Sequence, residues 1–332
     1  MNDKPMTRCS LVRCITLGAT MVLSPLGPAL ASEFHILGGL MQGSKSSEGS
    51  YSWQLEYRDH LGKYGAYSIS YLNEGHVPDH HRDGHAFQLW ARTSLLAPRL
   101  SLAAGGGIYH YYDTTVARDP TSHRNAHGWG GIFSLSSSWK TEDRWLLQLR
   151  GNWVGTGESI DTLSALVGFG YLLDDPAKTE AEQIKHPHRE QSKRNELTFF
   201  LGQTIVNSLP SEHSVATCLE YRRSLHPNVD LSLSWLNEGD NRLVRRHGML
   251  TQLWAVKAFF RETLTLGIGG GAYLSLKRYD VLGSDRFLSG VVTLTTSYRL
   301  TPEWQVRASW NRIVTTYDRD TDVIMGGIGY RF

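Results

Sequence analysis

The stretch Tyr71-Leu72-Asn73-Glu74-Gly75 returns 164 residues later as Trp235-Leu236-Asn237-Glu238-Gly239. The same offset carries Leu55-Glu56-Tyr57-Arg58 onto Leu219-Glu220-Tyr221-Arg222, Gln88-Leu89-Trp90 onto Gln252-Leu253-Trp254, and Gly105-Gly106-Gly107 onto Gly269-Gly270-Gly271. Farther along the offset falls to 159, so that Trp145 matches Trp304, Asn152 matches Asn311, Asp161 matches Asp320, and Gly168-Phe169-Gly170-Tyr171 matches Gly327-Ile328-Gly329-Tyr330. One loop of the second copy is therefore shorter. A repeat of this length is a duplicated domain, far above the roughly 20 to 50 residues of solenoid repeats.

Inside each copy the period is two. Tyr67-Ser-Ile-Ser-Tyr71-Leu and Leu231-Ser-Leu-Ser-Trp235-Leu alternate large apolar residues with serine, which is the signature of a strand with one greasy face. The pattern recurs over 86–93, 100–112, 131–139, 145–153 and 162–172, with 34–40 and 51–58 as weaker openers. Eight strands per copy are expected, with no helical periodicity outside the N-terminal segment and the linker.

Connections alternate in length. Those around Gly62-Lys63, Ala97-Pro98-Arg99 and Thr141-Glu142-Asp143 are short, whereas 41–50, 76–84 and 114–127 read as long and polar. Transmembrane barrels sort their loops in this way, with tight periplasmic turns and longer external loops. Trp139, Trp145, Trp153, Tyr298, Trp304 and Trp310 fall near strand ends, as interfacial girdles require. The chain ends Ile328-Gly329-Tyr330-Arg331-Phe332, which resembles the C-terminal signal read by the outer-membrane assembly machinery, with Phe332 as the terminal residue.

Residues 1–31 place Lys4, Arg8 and Arg13 before a short apolar run from Ile15 to Leu23, then Pro25 and Pro28, then Ala29-Leu30-Ala31 before Ser32. This is a cleavable secretory signal cut near Ala31-Ser32; an anchor helix would need about 18 to 20 unbroken apolar residues. Cys9 and Cys14 leave with it, so Cys218 is the only cysteine of the mature chain and no intramolecular disulfide can form. Loss of three cations and Asp3 takes the formal charge from +2 to 0, which leaves no basic footprint for nucleic acid.

The expected fold class is all-β, an antiparallel up-and-down transmembrane β-barrel in the outer membrane of a Gram-negative cell. Residues 32–173 form the first repeat, 174–194 a polar periplasmic linker, and 195–332 the second repeat. Two architectures fit: two eight-stranded barrels in tandem, or one sixteen-stranded barrel. If Phe87, Leu89 and Ala91 face lipid, then Glu74, Gln88, Arg92, Gln148, Arg150 and Asn152 point inward, and with them Glu238, Gln252, Arg307 and Asn311 of the second copy. Small residues beside a few large polar ones suit a narrow, packed barrel, whereas sixteen strands enclose water. Tandem barrels are therefore favoured. Glu74 is expected to pair with Arg92 or Arg150, and Glu238 with Arg307.

The order of a Tyr/Trp-x-x-Glu-Gly strand end, a Gly-rich strand and a final hairpin resembles the lipid A 3-O-deacylase family of small outer-membrane barrels. The resemblance implies a His-x-Ser-Asn motif on the penultimate strand with a carboxylate after it, acting as base, nucleophile and orienting acid. The corresponding strands read Arg150-Gly-Asn152-Trp-Val-Gly-Thr156 and Ser309-Trp-Asn311-Arg-Ile-Val-Thr315. Neither has the histidine or the paired serine. Asp161 and Asp320 stand near the acid's place, but an acid without its base activates nothing, so the likeness is one of scaffold and no catalytic residue is assigned.

The segment 74–85 holds His76, His80, His81 and His85 among carboxylates, yet its spacing matches no closed metal site, and a solvated external loop is the expected reading. Arg242, Arg245 and Arg246 occupy that place in the second copy and can meet lipopolysaccharide phosphates. No cofactor is implied. The reading is an integral, non-enzymatic outer-membrane protein with lipid and lipopolysaccharide as its partners, binding through surface loops or serving structurally. A passive pore and a lipid A-modifying hydrolase are the alternatives.

Overall fold

A computed structural model describes residues 31–43, 48–97, 99–117, 122–174, 193–208, 211–277 and 288–332. The proposed signal segment up to residue 30 and the linker from 175 to 192 lie outside the described residues.

The first repeat comprises β1 (Glu33–Gly43), β2 (Gly49–Leu61), β3 (Gly65–Val77), β4 (His80–Ala97), β5 (Leu100–Val116), β6 (His123–Lys140), β7 (Trp145–Thr156) and β8 (Thr162–Leu172). The second comprises β9 (Asn195–Val206), β10 (His213–His226), β11 (Val229–Asp240), β12 (Arg245–Phe259), β13 (Leu264–Lys277), β14 (Leu288–Arg299), β15 (Trp304–Val314) and β16 (Thr321–Arg331). Within each repeat every strand pairs antiparallel with its sequence neighbours. β1 closes on β8, with Leu37 opposite Gly168, and β9 closes on β16, with Phe200 opposite Gly327. These are two separate eight-stranded barrels, and the sixteen-stranded alternative is excluded by those two closures.

Both barrels are inside out relative to a soluble protein. On β4, Leu89 is 56% exposed while neighbouring Gln88 is 0% exposed. The same inversion sets Leu149, Val167, Phe199 and Leu253 outside and Gln148, Ser68, Thr198 and Gln252 inside. So much contiguous apolar surface is the wall of a transmembrane barrel. Trp139, Trp145, Trp304 and Tyr330 ring the periplasmic end, and Trp129, Trp153 and Trp235 the external end.

One expectation about the loops is corrected. The segment 76–84 is not a long loop: β3 runs to Val77 and β4 starts at His80, with Asp79 at φ 64° in the turn. The excess length is in the strands, since β4, β5 and β6 have 18, 17 and 18 residues. About 9 to 11 residues cross a membrane, so this ribbon stands about 20 Å proud of it.

The motif that marks the duplication is a β-bulge. From Asn73 to His76 β3 uses one more residue than β4 does from Asp83 to His81, and Asn237 to Asp240 repeats this against His247 to Arg245. Gly75 (φ 67°) and Gly239 (φ 79°) hold the left-handed conformation that a bulge of this kind needs. A Cβ there would lie 2.3 Å from the carbonyl oxygen of Tyr51 or Val215. The Asn73 and Asn237 side chains accept the two glycine N–H groups at 3.0 and 3.1 Å.

Candidate functional site

Each lumen is filled in layers. Near the external end of the first barrel Arg82 forks onto Glu74, Nε to Oε2 at 2.5 Å and Nη2 to Oε1 at 2.8 Å, while Tyr109 donates to Oε2 at 2.9 Å and Thr162 donates to Oε1. Below it Leu37, Leu72, Ala86, Ile132, Val154 and Leu166 close an apolar layer. An amide layer follows, in which Gln88 donates to Ser134 at 2.9 Å, Ser134 to Asn152 at 2.7 Å, and Asn152 to Gln54 at 3.2 Å. Then come Trp90, with Arg58 stacked 3.9 Å from its ring, and Arg150 forked onto Glu56 at 2.6 and 2.7 Å. The first glycine of each triplet makes room for this layer: a Cβ on Gly105 would sit 2.4 Å from the Trp90 ring, and Gly269 meets Trp254 in the same way at 2.6 Å.

The second barrel repeats the plug. Arg246 donates to Glu238 at 2.7 Å and to Thr321 at 2.9 Å, and Thr321 donates to Glu238 at 2.6 Å, with Tyr273 at the place of Tyr109. Gln252 and Trp254 keep the partners Thr293 (2.6 Å) and Ser232 (2.8 Å), and Asn311 accepts from Thr293 at 2.8 Å. Lower down the copies diverge. Arg150 has become Ser309 and Gln148 has become Arg307, one inward step away. Arg307 still reaches Glu220, the counterpart of Glu56, at 2.7 Å, and also Glu196 at 2.5 Å. Cys218 replaces Gln54 and is buried in the apolar layer as a free thiol.

Among the residues expected inward, Glu74, Gln88, Gln148, Arg150, Asn152, Glu238, Gln252, Arg307 and Asn311 are buried in the lumens. The pairing differs from expectation. Glu74 meets Arg82 and Glu238 meets Arg246, whereas Arg150 and Arg307 serve Glu56 and Glu220. Arg92 lies at the periplasmic mouth, 3.6 Å from Glu33 and 2.9 Å from a ring nitrogen of His60. Arg246, expected at the surface against lipopolysaccharide, is 2% exposed inside the second barrel, because β12 starts at Arg245 and Arg246 stands in the inward phase of Gln252 and Trp254. Arg242 and Arg245 are exposed beside Glu212 and Asp240. The repeat carried the missed signal: Glu74…Arg82 and Glu238…Arg246 share one spacing. Asp161 and Asp320 each accept the N–H of a threonine across their hairpin, Thr156 at 2.8 Å and Thr315 at 2.7 Å, so they brace turns. Phe332 exchanges backbone bonds with Asn195 at 2.9 and 3.1 Å and ends the seam of β16 with β9.

The barrels touch side by side. At the external end Arg312, which points out of its barrel, meets Asp83, which points out of the other; Arg312 Nε is also 3.0 Å from Asp322, and Tyr71 donates to Asp83 at 2.8 Å. Trp310 packs edge-on to Tyr71 with centroids 4.3 Å apart and donates to Asp322 at 2.8 Å. Higher still, His127 bonds Asp320 at 2.5 Å and the Asn125 N–H donates to Asp318 at 2.8 Å. At the periplasmic end Lys257 donates to Asp59 at 2.6 Å and to Ser32 at 2.9 Å. Charged side chains on a lipid face are destabilising, most of all for Arg and Lys toward mid-depth, and these are instead covered by the neighbouring barrel. The repeat is broken where the barrels meet: Trp310, Arg312 and Asp322 align with Gly151, Trp153 and Leu163 of the first copy.

Above the membrane, His76 and His81 stack with centroids 3.9 Å apart, and burial beside His76 pushes His81 down to about 4. His80 bonds Asp113 at 2.7 Å, which raises its pKa. Among the described residues no three His, Cys, Asp or Glu side chains converge as metal ligands.

No protein-family model matches the chain, and no curated protein matches its sequence. Solved structures similar in architecture include the N-terminal β-barrel domain of Pseudomonas aeruginosa OprF, at 12% identity and TM-score 0.35, covering 43% of this chain and 98% of that one. Yersinia pestis Ail aligns at 10% identity and TM-score 0.31, over 44% of this chain and 99% of its own. Acinetobacter baumannii Omp33 aligns at 12% identity and TM-score 0.20, over 92% and 100%.

Proposed function

We propose that this chain is an integral, non-enzymatic and non-conducting protein of a Gram-negative outer membrane, a paired barrel that binds at the outer surface or braces the bilayer. The observation that carries the reading is the plug repeated in both lumens, Glu74–Arg82 in one and Glu238–Arg246 in the other. Glu74, bidentate to Arg82 and bonded on both oxygens by Tyr109 and Thr162, has no free lone pair for acid–base work, and Glu238 is held on one oxygen by both Arg246 and Thr321. Stacked ion-pair, apolar and amide layers also oppose the passage of water and ions. Export by the signal ahead of Ser32, assembly through Phe332, and contact of Arg242 and Arg245 with lipopolysaccharide phosphates belong to the same reading.

The test is single-channel recording of the refolded protein in a planar bilayer, with folding verified by heat-modifiable migration, beside lipid A mass spectra of cells with and without the chain. Silence and unchanged spectra are expected. Steady porin-sized current would replace this reading with a diffusion pore, and loss of an acyl chain would replace it with a lipid A hydrolase.

A further inference from the structure

Between the two contact zones the outward faces of both barrels line one space. A cavity of about 470 Å³ opens there, lined by Leu55, Ile69 and Tyr71 of the first barrel and by Ile268, Leu294 and Trp310 of the second. Ala255 and Ala308 leave room on the second barrel's side. The volume lies in the range of small-molecule sites, about 300 to 1,000 Å³. All of these side chains alternate outward, so the walls are the lipid-facing surfaces of two barrels.

We infer that this slot holds an acyl chain of a zwitterionic glycerophospholipid from the periplasmic leaflet. Depth selects the leaflet. The first barrel's wall runs from Tyr67 to Tyr71 on β3, about 13 Å along a strand and about 10 Å along the membrane normal at barrel tilt. That is one leaflet of a hydrocarbon core about 30 Å thick. Trp310 and Tyr71 roof the slot at 4.3 Å, and the Arg312–Asp83 contact lies above them. The floor is polar: Lys257 and Asn228 line its periplasmic mouth. There Asp59 accepts from Lys257 at 2.6 Å, Tyr57 at 3.0 Å and Tyr67 at 3.2 Å. Lys257 is 41% exposed and Asp59 is 19% exposed at their side chains. A headgroup carrying both a phosphate and an ammonium can bridge this pair, the phosphate on Lys257 and the ammonium on Asp59, with neither partner left uncompensated. Chain selection rests on packing, because lipid tails are as apolar as the walls and the hydrophobic effect favours neither place. A space this size in the hydrocarbon region forfeits dispersion contacts unless something fills it.

The inference rests on the membrane reading above, and the experiment separates the two. Protein extracted from outer membranes in mild detergent is weighed intact by native mass spectrometry, and its lipid is identified after extraction. One glycerophospholipid per chain is expected. Ala308→Trp, which puts an indole into the slot, should lower that occupancy at least tenfold with heat-modifiable folding retained. Phe133→Trp, on the lipid face of β6 away from the slot, should leave it unchanged. Lys257→Gln with Asp59→Asn should keep a lipid but abolish the preference for zwitterionic over anionic headgroups. Should Ala308→Trp fail to fold, Ala255→Phe fills the same slot from β12. Bare wild-type protein, equal retention by the filled variants, or lipopolysaccharide as the retained species would each overturn the inference. Absence of the wild-type chain from the membrane fraction would instead overturn the membrane reading.

Discussion

Glu74→Ala tests the plug most directly. The carboxylate takes two bonds from Arg82, at 2.5 and 2.8 Å, and one from Tyr109 at 2.9 Å, all in a site about 1% exposed. The single substitution strands a guanidinium inside the barrel. Breaking a buried pair on one side costs about 3 to 5 kcal/mol, whereas replacing both partners with apolar residues of similar size is often nearly neutral. Glu74→Ala should therefore lower the stability of the first barrel by about 3 to 5 kcal/mol, and Glu74→Leu with Arg82→Met by far less. The assay is urea unfolding in detergent, followed by heat-modifiable migration. Because the lumens are separate, two transitions are expected in the variant, with the second barrel's midpoint unchanged. Unchanged unfolding of Glu74→Ala, or a double variant as weak as the single one, would refute the ion-pair argument. A parallel drop of both transitions would refute the independence of the plugs.

Arg246→Ala should destabilise the second barrel by a similar 3 to 5 kcal/mol because it strands Glu238, whereas Arg242→Ala, on the exposed rim, should stay within about 0.5 kcal/mol; unfolding midpoints distinguish the two. Arg312→Leu leaves Asp83 and Asp322 facing each other without their cation and should loosen the barrels from one another, read as faster proteolysis between the repeats with both barrels still folded. Above the membrane two histidines act oppositely on acidification. His81, whose folded value is about 4, contributes stability above its unfolded value near 6.5 that is lost as pH falls toward 4. His80, raised by Asp113, contributes stability that is full below about 6.5 and lost as pH rises through its folded value. His81→Asn should flatten the acid limb of a stability profile, and His80→Asn the neutral limb.

The sequence by itself determined the duplication, the sixteen strands, their inside-out polarity and nearly every inward residue. Period two fixes which face a side chain takes, and an offset of 164 then 159 fixes the correspondence of the copies. It stopped at the hairpin tip. With 76–84 and its counterpart read as loops, the alternation through Gln88 and Gln252 is not continued to Arg82 and Arg246, which lie in the same phase of β4 and β12 and turn inward onto the glutamates. It also read long external strands as loops, because outside the membrane the pattern that identifies a strand is no longer imposed by lipid. Only the tertiary structure decided that each copy closes on itself. Closure depends on which edge strand β1 meets, β8 or β16, and both edges carry the same glycine-rich pattern. Only the tertiary structure decided, too, what Asp83, Arg312, Lys257 and Asp59 are for. Each is a charge on a face that should meet lipid, and the partner that covers it comes from the other copy, well over a hundred residues away along the chain.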